Sequence, residues 1–208
     1  MKRMSSSKQP TRASGKTFDS VSSFPLVSER NNNNNTSSEL DELIIPGPNR
    51  PLEVTLFECE AASILRDFAP LFPAVELFRQ KRSFRLLLFT FATANDMTGW
   101  NKEVEEERDR LHQIFLRIGD AVVSRLVDDD AGFWADFVDP VGGKPHRSAY
   151  CNDNLFEIDP RLRPFGVKVE DLGCCKCVRL EKFGSKAFVG CVFTDAPFDA
   201  PVWQELLG

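Results

Sequence analysis

Apolar residues fall into clusters along this chain, and the spacing within each cluster predicts its element. Leu52 to Phe57 reads as a strand, Ala61 to Phe68 as a short helix stopped before Pro73, and the nearly continuous apolar run Phe84 to Phe91 as a strand buried on both faces. The longest regular element starts near Thr98 or Asn101, either of which can cap, and runs to about Val127. Val104, Leu111, Ile114, Phe115, Ile118, Val122 and Leu126 recur at steps of three, four or seven and form its buried stripe. Glu103, Glu105, Glu106 and Glu107 complement the positive end of the helix, and the run Glu105 to Glu107 is expected to be a solvated face, not a metal site.

After a turn at Asp128 to Asp130, Phe133 to Val138 reads as a strand ended by Asp139, Pro140 and a glycine pair. Strands are expected again near Lys176 to Lys182 and Lys186 to Thr194, joined by a tight turn at Phe183, Gly184 and Ser185 into an antiparallel hairpin. Helix and strand mix without a repeating βαβ rhythm. The pattern therefore predicts an α+β fold, a mainly antiparallel sheet with one long helix.

Residues 1–48 have no such pattern. They are rich in Ser, Asn, Pro and charge and include the run Asn31 to Asn35, so we expect a disordered N-terminal tail ahead of a folded domain over 49–208. One apolar patch, Leu40 with Leu43, Ile44 and Ile45 before Pro46, suits docking as a short helix or extended arm on the domain or a partner.

Charge narrows the function classes. The chain carries a formal net charge of -5, yet Lys2, Arg3, Lys8, Arg12 and Lys16 stand in its first 18 residues with no acid, so the rest is acidic at -10. An acidic domain repels phosphate backbones and anionic lipid heads, so neither nucleic acid nor a membrane surface is an expected partner. No apolar run approaches the roughly 18 residues of a spanning helix, and no signal-peptide core follows the basic start. We expect a cytoplasmic protein with reduced thiols; the basic, Ser-rich, acid-poor start also fits a mitochondrial transit segment, although a flexible tether is the simpler reading.

The most chemical segment is Asp171, Leu172, Gly173, Cys174, Cys175, Lys176 and Cys177, with three thiols in four residues. Gly173 lets the backbone bend so that Cys174 sits in an accessible turn, while Cys175 and Cys177 share one face of the following strand. As small hydrophobes, Cys175, Cys177 and Cys191 are expected in the core, as are Cys59 and Cys151. A structural zinc site needs close ligand pairs, and Cys59, Cys151, Cys191, His112 and His146 are scattered singly. Cys174 and Cys177 have redox-motif spacing but precede a strand instead of opening a helix. What remains is an exposed thiol, a soft donor for a metal in a cofactor that another protein carries. With no phosphate loop, no nucleophile elbow and no triad, no catalytic residue is assigned.

Three groups of residues recur in a familiar order: Asn95, Asp96, Met97, Thr98 and Trp100; Trp134, Ala135, Asp136, Phe137, Asp139 and Pro140; and Asn154, Leu155, Phe156 and Glu157. With Asp159, Arg161, Arg163, Gly166, the Asp171 to Lys176 segment and Val189, Gly190, Phe193 and Thr194, the chain from about Leu52 resembles the CblD family of methylmalonic aciduria and homocystinuria type D. The resemblance implies a fold related to flavin nitroreductases that has lost flavin binding. It also implies a non-enzymatic adaptor that binds no cofactor alone and shares cobalamin with a CblC-type processing partner, passing it toward methionine synthase and methylmalonyl-CoA mutase.

By the same resemblance Cys174 is the thiolate that coordinates cobalt in the complex, and Thr93, Asp159 and Leu172 match a partner-sensitive surface. Cys177 departs from the family pattern, which leads one to expect an apolar residue there, and so introduces a second thiol. A flavin- or thiol-dependent oxidoreductase on the same fold, and a plain scaffold, stay open as alternatives.

Overall fold

The computed structural model describes residues 13–18, 52–80, 83–128, 132–148, 151–173 and 175–207. The patch at Leu40, Leu43, Ile44 and Ile45, most of the expected tail, and Cys174 lie outside the described residues. Strands β1 (Ser14–Phe18), β2 (Leu52–Cys59), β3 (Phe84–Ala92) and β4 (Ala135–Val138) join the later β7 (Ala187–Thr194) in a five-stranded antiparallel sheet ordered β1-β2-β3-β7-β4. A second sheet is the hairpin of β5 (Lys168–Asp171) and β6 (Lys176–Arg179). Helices α1 (Ala62–Phe68), α2 (Glu76–Arg79), α3 (Lys102–Val127) and α4 (Val202–Leu207) complete the α+β architecture.

The central strands β3 and β7 are apolar on both faces because both faces are covered. One face packs Leu87, Phe89, Phe188 and Val192 against Phe115, Ile118 and Val122 of α3. The other packs Leu86, Leu88, Val189 and Phe193 against α1 and against Phe165 and Val178. α3 begins where the sequence places it: the side chain of Asn101 accepts the Val104 N–H at 3.0 Å. It reaches the sheet closely because Gly190 has no side chain, and a Cβ there would fall 2.3 Å from the Phe115 ring. Among the described residues, no helix is long and apolar enough to cross a membrane.

Three expectations are corrected. Ser14–Phe18 lies inside the segment expected to be disordered, yet it pairs along β2 from Ser14 opposite Glu58 to Phe18 opposite Val54. An edge strand is held by backbone hydrogen bonds and needs no apolar period, and Ser14, Gly15 and Lys16 are exposed. The expected hairpin between 176–182 and 186–194 does not form. The turn is present, with Leu180 and Gly184 exchanging hydrogen bonds and Gly184 at φ 61°, but it carries the chain from one sheet to the other. β6 pairs instead with β5, whose polar Lys-Val-Glu-Asp sequence leaves no apolar signature. Finally, Glu107 is not on a solvated face; it is 5% exposed.

Candidate functional site

The hairpin β5–β6 carries the thiol-rich turn. Its strands are in register from Lys168 opposite Arg179 to Asp171 opposite Lys176, and Glu170 and Arg179 form an ion pair across it at 2.6 Å. At the head, the Leu172 N–H donates to the Cys175 carbonyl at 2.9 Å, and Asp171 Oδ1 accepts the Gly173 N–H at 2.8 Å. Gly173 is at φ 83°, a conformation that L side chains rarely adopt, so the glycine is a requirement of the bend. Leu172 is 43% exposed, an apolar side chain presented beside the turn.

The neighbouring thiols differ in what surrounds them. Cys177 is buried opposite Glu170; burial, then the Glu170 carboxylate, push its thiol above the ordinary range. Cys191, in the central strand β7, is pushed up to about 12 by burial, and Cys59 is raised further by the same cause. Both stay protonated at neutral pH. Cys151 is buried, and its Sγ donates to the Asp153 carbonyl at 3.3 Å. Cys175 differs from the expectation: it precedes β6 and is half-buried, so it does not share a strand face with Cys177.

The other residues matched to a partner surface sit on different segments of the chain. Thr93, at the end of β3, is 7% exposed; its N–H donates to Lys186 and its hydroxyl to the Asn95 carbonyl at 2.7 Å. Asp159 caps the 3-10 turn Pro160–Phe165, accepting from Arg161 N at 2.8 Å, Nε at 3.0 Å and Nη2 at 2.8 Å. Burial acts against the Arg161 charge, but Asp159 and Asp153 overcome it and raise the guanidinium above its usual value. Among the described residues, no hydrogen bond joins Thr93, Asp159 and Leu172 to one another.

Those loops depend on residues that pattern reading passed over. The Glu107 carboxylate accepts the Ala94 N–H at 2.7 Å, the Asn95 N–H at 2.9 Å and the Asn95 side-chain amide at 2.8 Å, and so ties the β3–α3 loop to the helix. Its position was readable, since 107 falls between Val104 and Leu111 at the stripe's own steps of three and four. On the same loop Trp100 is 71% exposed, while the Met97 N–H donates to the Ser185 carbonyl at 3.0 Å. Next to it, Arg108 donates to the Met97 carbonyl at 3.0 Å and approaches Glu157 at 3.9 Å. Burial pushes the Glu157 carboxyl up to about 7, with Arg108 pulling the other way.

His112, read as a packing or surface residue, pairs with Asp139 at 2.7 Å. Burial works to raise the Asp139 carboxyl, but the Gly142 and Val141 N–H groups and His112 outweigh it, and the group is held low. No other acid, histidine or cysteine joins this pair into a triad or a metal-ligating group among the described residues. At the head of the hairpin, Asp171, Leu172, Gly173 and Lys176 are exposed on either side of position 174.

The family described as methylmalonic aciduria and homocystinuria type D protein matches residues 2–207. A Gallus gallus protein named cobalamin trafficking protein CblD is 39% identical over 143 residues, 69% of this chain and 46% of the relative. The Mus musculus protein of the same name is 40% identical over 143 residues with the same coverage. The similar stretch thus spans just under half the length of these relatives.

Proposed function

The chain belongs to the family of methylmalonic aciduria and homocystinuria type D proteins, and from that premise we propose that it is a non-enzymatic adaptor in intracellular cobalamin trafficking. In this reading it works in the cytoplasm with a CblC-type processing protein and directs cobalamin toward methionine synthase and methylmalonyl-CoA mutase. The partner encloses the corrin. This chain would contribute one soft ligand, the Cys174 thiolate, to the cobalt of cobalamin held by the partner. We extend the proposal to the fold: an α+β sheet of this kind is read as a nitroreductase relative without flavin.

The observation that carries the reading is the geometry on either side of position 174. Asp171 and Gly173 close a tight turn at the head of a two-stranded hairpin, with an exposed leucine beside it, and the sequence running through 171–176 is the family's Asp-Leu-Gly-Cys-Cys-Lys. An exposed hairpin head can deliver a donor atom into another protein's pocket without enclosing anything itself. Burial raises the thiols of Cys59, Cys177 and Cys191, which disfavours them as competing thiolates.

The test is spectroscopic. The purified chain, mixed with cobalamin-loaded CblC protein, is expected to change the cobalamin absorption spectrum, and Cys174→Ser is expected to abolish that change while co-purification persists. A flavin absorption band in the purified chain, with turnover of a nicotinamide cofactor, would establish the oxidoreductase alternative instead.

A further inference from the structure

We propose that the groove under the base of the β5–β6 hairpin binds a small aromatic molecule that carries a hydrogen-bonding group and no negative charge. The groove encloses about 400 Å³. Its floor is the sheet face opposite α3, where Thr55, Phe57, Leu88 and Thr90 point the same way by strand alternation. Its roof is residues 164–166, which lead into β5, and residues 180–183, which leave β6. Both strands of the hairpin therefore spring from the roof.

Thr90 is the observation that points to a ligand. It is 6% exposed, lies on the central strand β3, and lines the groove, yet its hydroxyl has no hydrogen-bond partner among the described residues. The residue is buried, but its oxygen is not among the sealed, unpaired atoms of the core; it opens onto the groove, where a ligand's polar group can take the place of water. The apolar part of that ligand is defined by the rings around it. Phe57 and Phe165 meet edge to face at 5.2 Å, Phe183 closes one side, and Leu88 and Leu180 fill between them. Such a lining favours a flat ring.

Charge selects further. Glu53, paired with Lys182, and Glu181 stand at the rim. Their balance is negative, so a carboxylate or phosphate is repelled while a neutral or cationic group is accepted. This inference is independent of the thiolate reading, because it needs neither cobalamin nor a partner protein.

Benzamide, benzamidine and benzoate share size and shape and differ in charge, so they serve as probes against the full chain, read by backbone amide NMR. Benzamide and benzamidine are expected to give saturable shifts at Thr55, Thr90 and Gly166, with benzoate about fivefold weaker or worse. Thr90→Val, nearly isosteric and suited to a strand, is expected to weaken benzamide by about three- to tenfold, the worth of one neutral hydrogen bond. Thr90→Ser, which keeps the hydroxyl, is expected to retain binding and guards against a folding artefact in the valine variant. No saturable shift at these residues with any probe, equal binding of benzoate, or an unchanged affinity in Thr90→Val would overturn the proposal.

Discussion

Glu107 reaches back from the second turn of α3 to hold Asn95, accepting both its backbone and its side-chain N–H groups. Removing that carboxylate strands three donors, including the Ala94 N–H, in a partly buried loop. Glu107→Ala is expected to cost about 3 kcal/mol, the desolvation penalty of unpaired donors. In a domain of this size that is a fall of about 6 to 12 °C in thermal unfolding. Glu107→Gln, which keeps one acceptor oxygen, is expected to lose about half as much. Equal melting temperatures for wild type and Glu107→Ala would show that the loop is held by something else.

The edge strand β1 gives a prediction opposite to the one its composition suggests. Deleting residues 1–18 removes the backbone partners of β2 and leaves that strand as a bare edge. A loss of about 2 kcal/mol is expected, together with concentration-dependent association seen by light scattering. A truncated chain that melts like the full one and stays monomeric would mean that Ser14–Phe18 contributes nothing to the folded state.

Glu157 should make stability depend on pH near neutrality. Its carboxyl rises from an ordinary 4.5 to about 7 in the folded protein, because burial disfavours the charge more than Arg108 supports it. The folded state therefore holds the proton more tightly than the unfolded state does. The stabilisation is fully present below about pH 4.5, and it is lost as pH rises through 7. Its size is on the order of 3 kcal/mol, from the energy equivalent of each pKa unit. The difference in unfolding free energy between wild type and Glu157→Gln isolates this group, and it should move in favour of the variant between pH 5 and 8, a window set by the same shift. A pH-independent difference would place Glu157 among the ordinary carboxylates.

The elements that the sequence made legible are those whose side chains are sorted by burial. β2, β3 and the stripe of α3 carry an apolar period because α3 and the loops cover the sheet from both sides. β1 and β5 were hidden for the converse reason: their stability comes from backbone pairing, and Ser14, Gly15 and Lys16 of β1 and the residues of β5 are exposed or half-buried. Glu107 was hidden by its charge although its spacing gave it away. At the site, Gly173 was legible because a bend before a strand calls for positive φ. Thr93 was not, because nothing in a Phe-Ala-Thr-Ala sequence says that the hydroxyl turns inward to hold the Asn95 carbonyl.

The hairpin turn separates positioning from charge. Asp171 Oδ1 accepts the Gly173 N–H, so Asp171→Ala removes the contact while Asp171→Asn keeps an acceptor oxygen and removes only the negative charge. If Cys174 supplies the thiolate, Asp171→Asn should strengthen the cobalt-thiolate spectrum formed with partner-bound cobalamin, since a neighbouring anion opposes the thiolate. Asp171→Ala should weaken it by loosening the turn. Cys191→Ala is expected to leave the spectrum intact and to cost about 1 kcal/mol of stability through the small cavity it opens in β7. Cys175→Ala, at a half-buried position, should leave the spectrum intact and cost less. Binding to the partner should survive Cys174→Ala, because a standard interface buries roughly 800 Å² on each side and one sulfur is a small part of it. A spectrum that persists in Cys174→Ala and disappears in Cys175→Ala or Cys177→Ala would move the ligand to another thiol of the same turn, while loss of co-purification in Cys174→Ala would mean that the sulfur, and not the protein surface, holds the complex together.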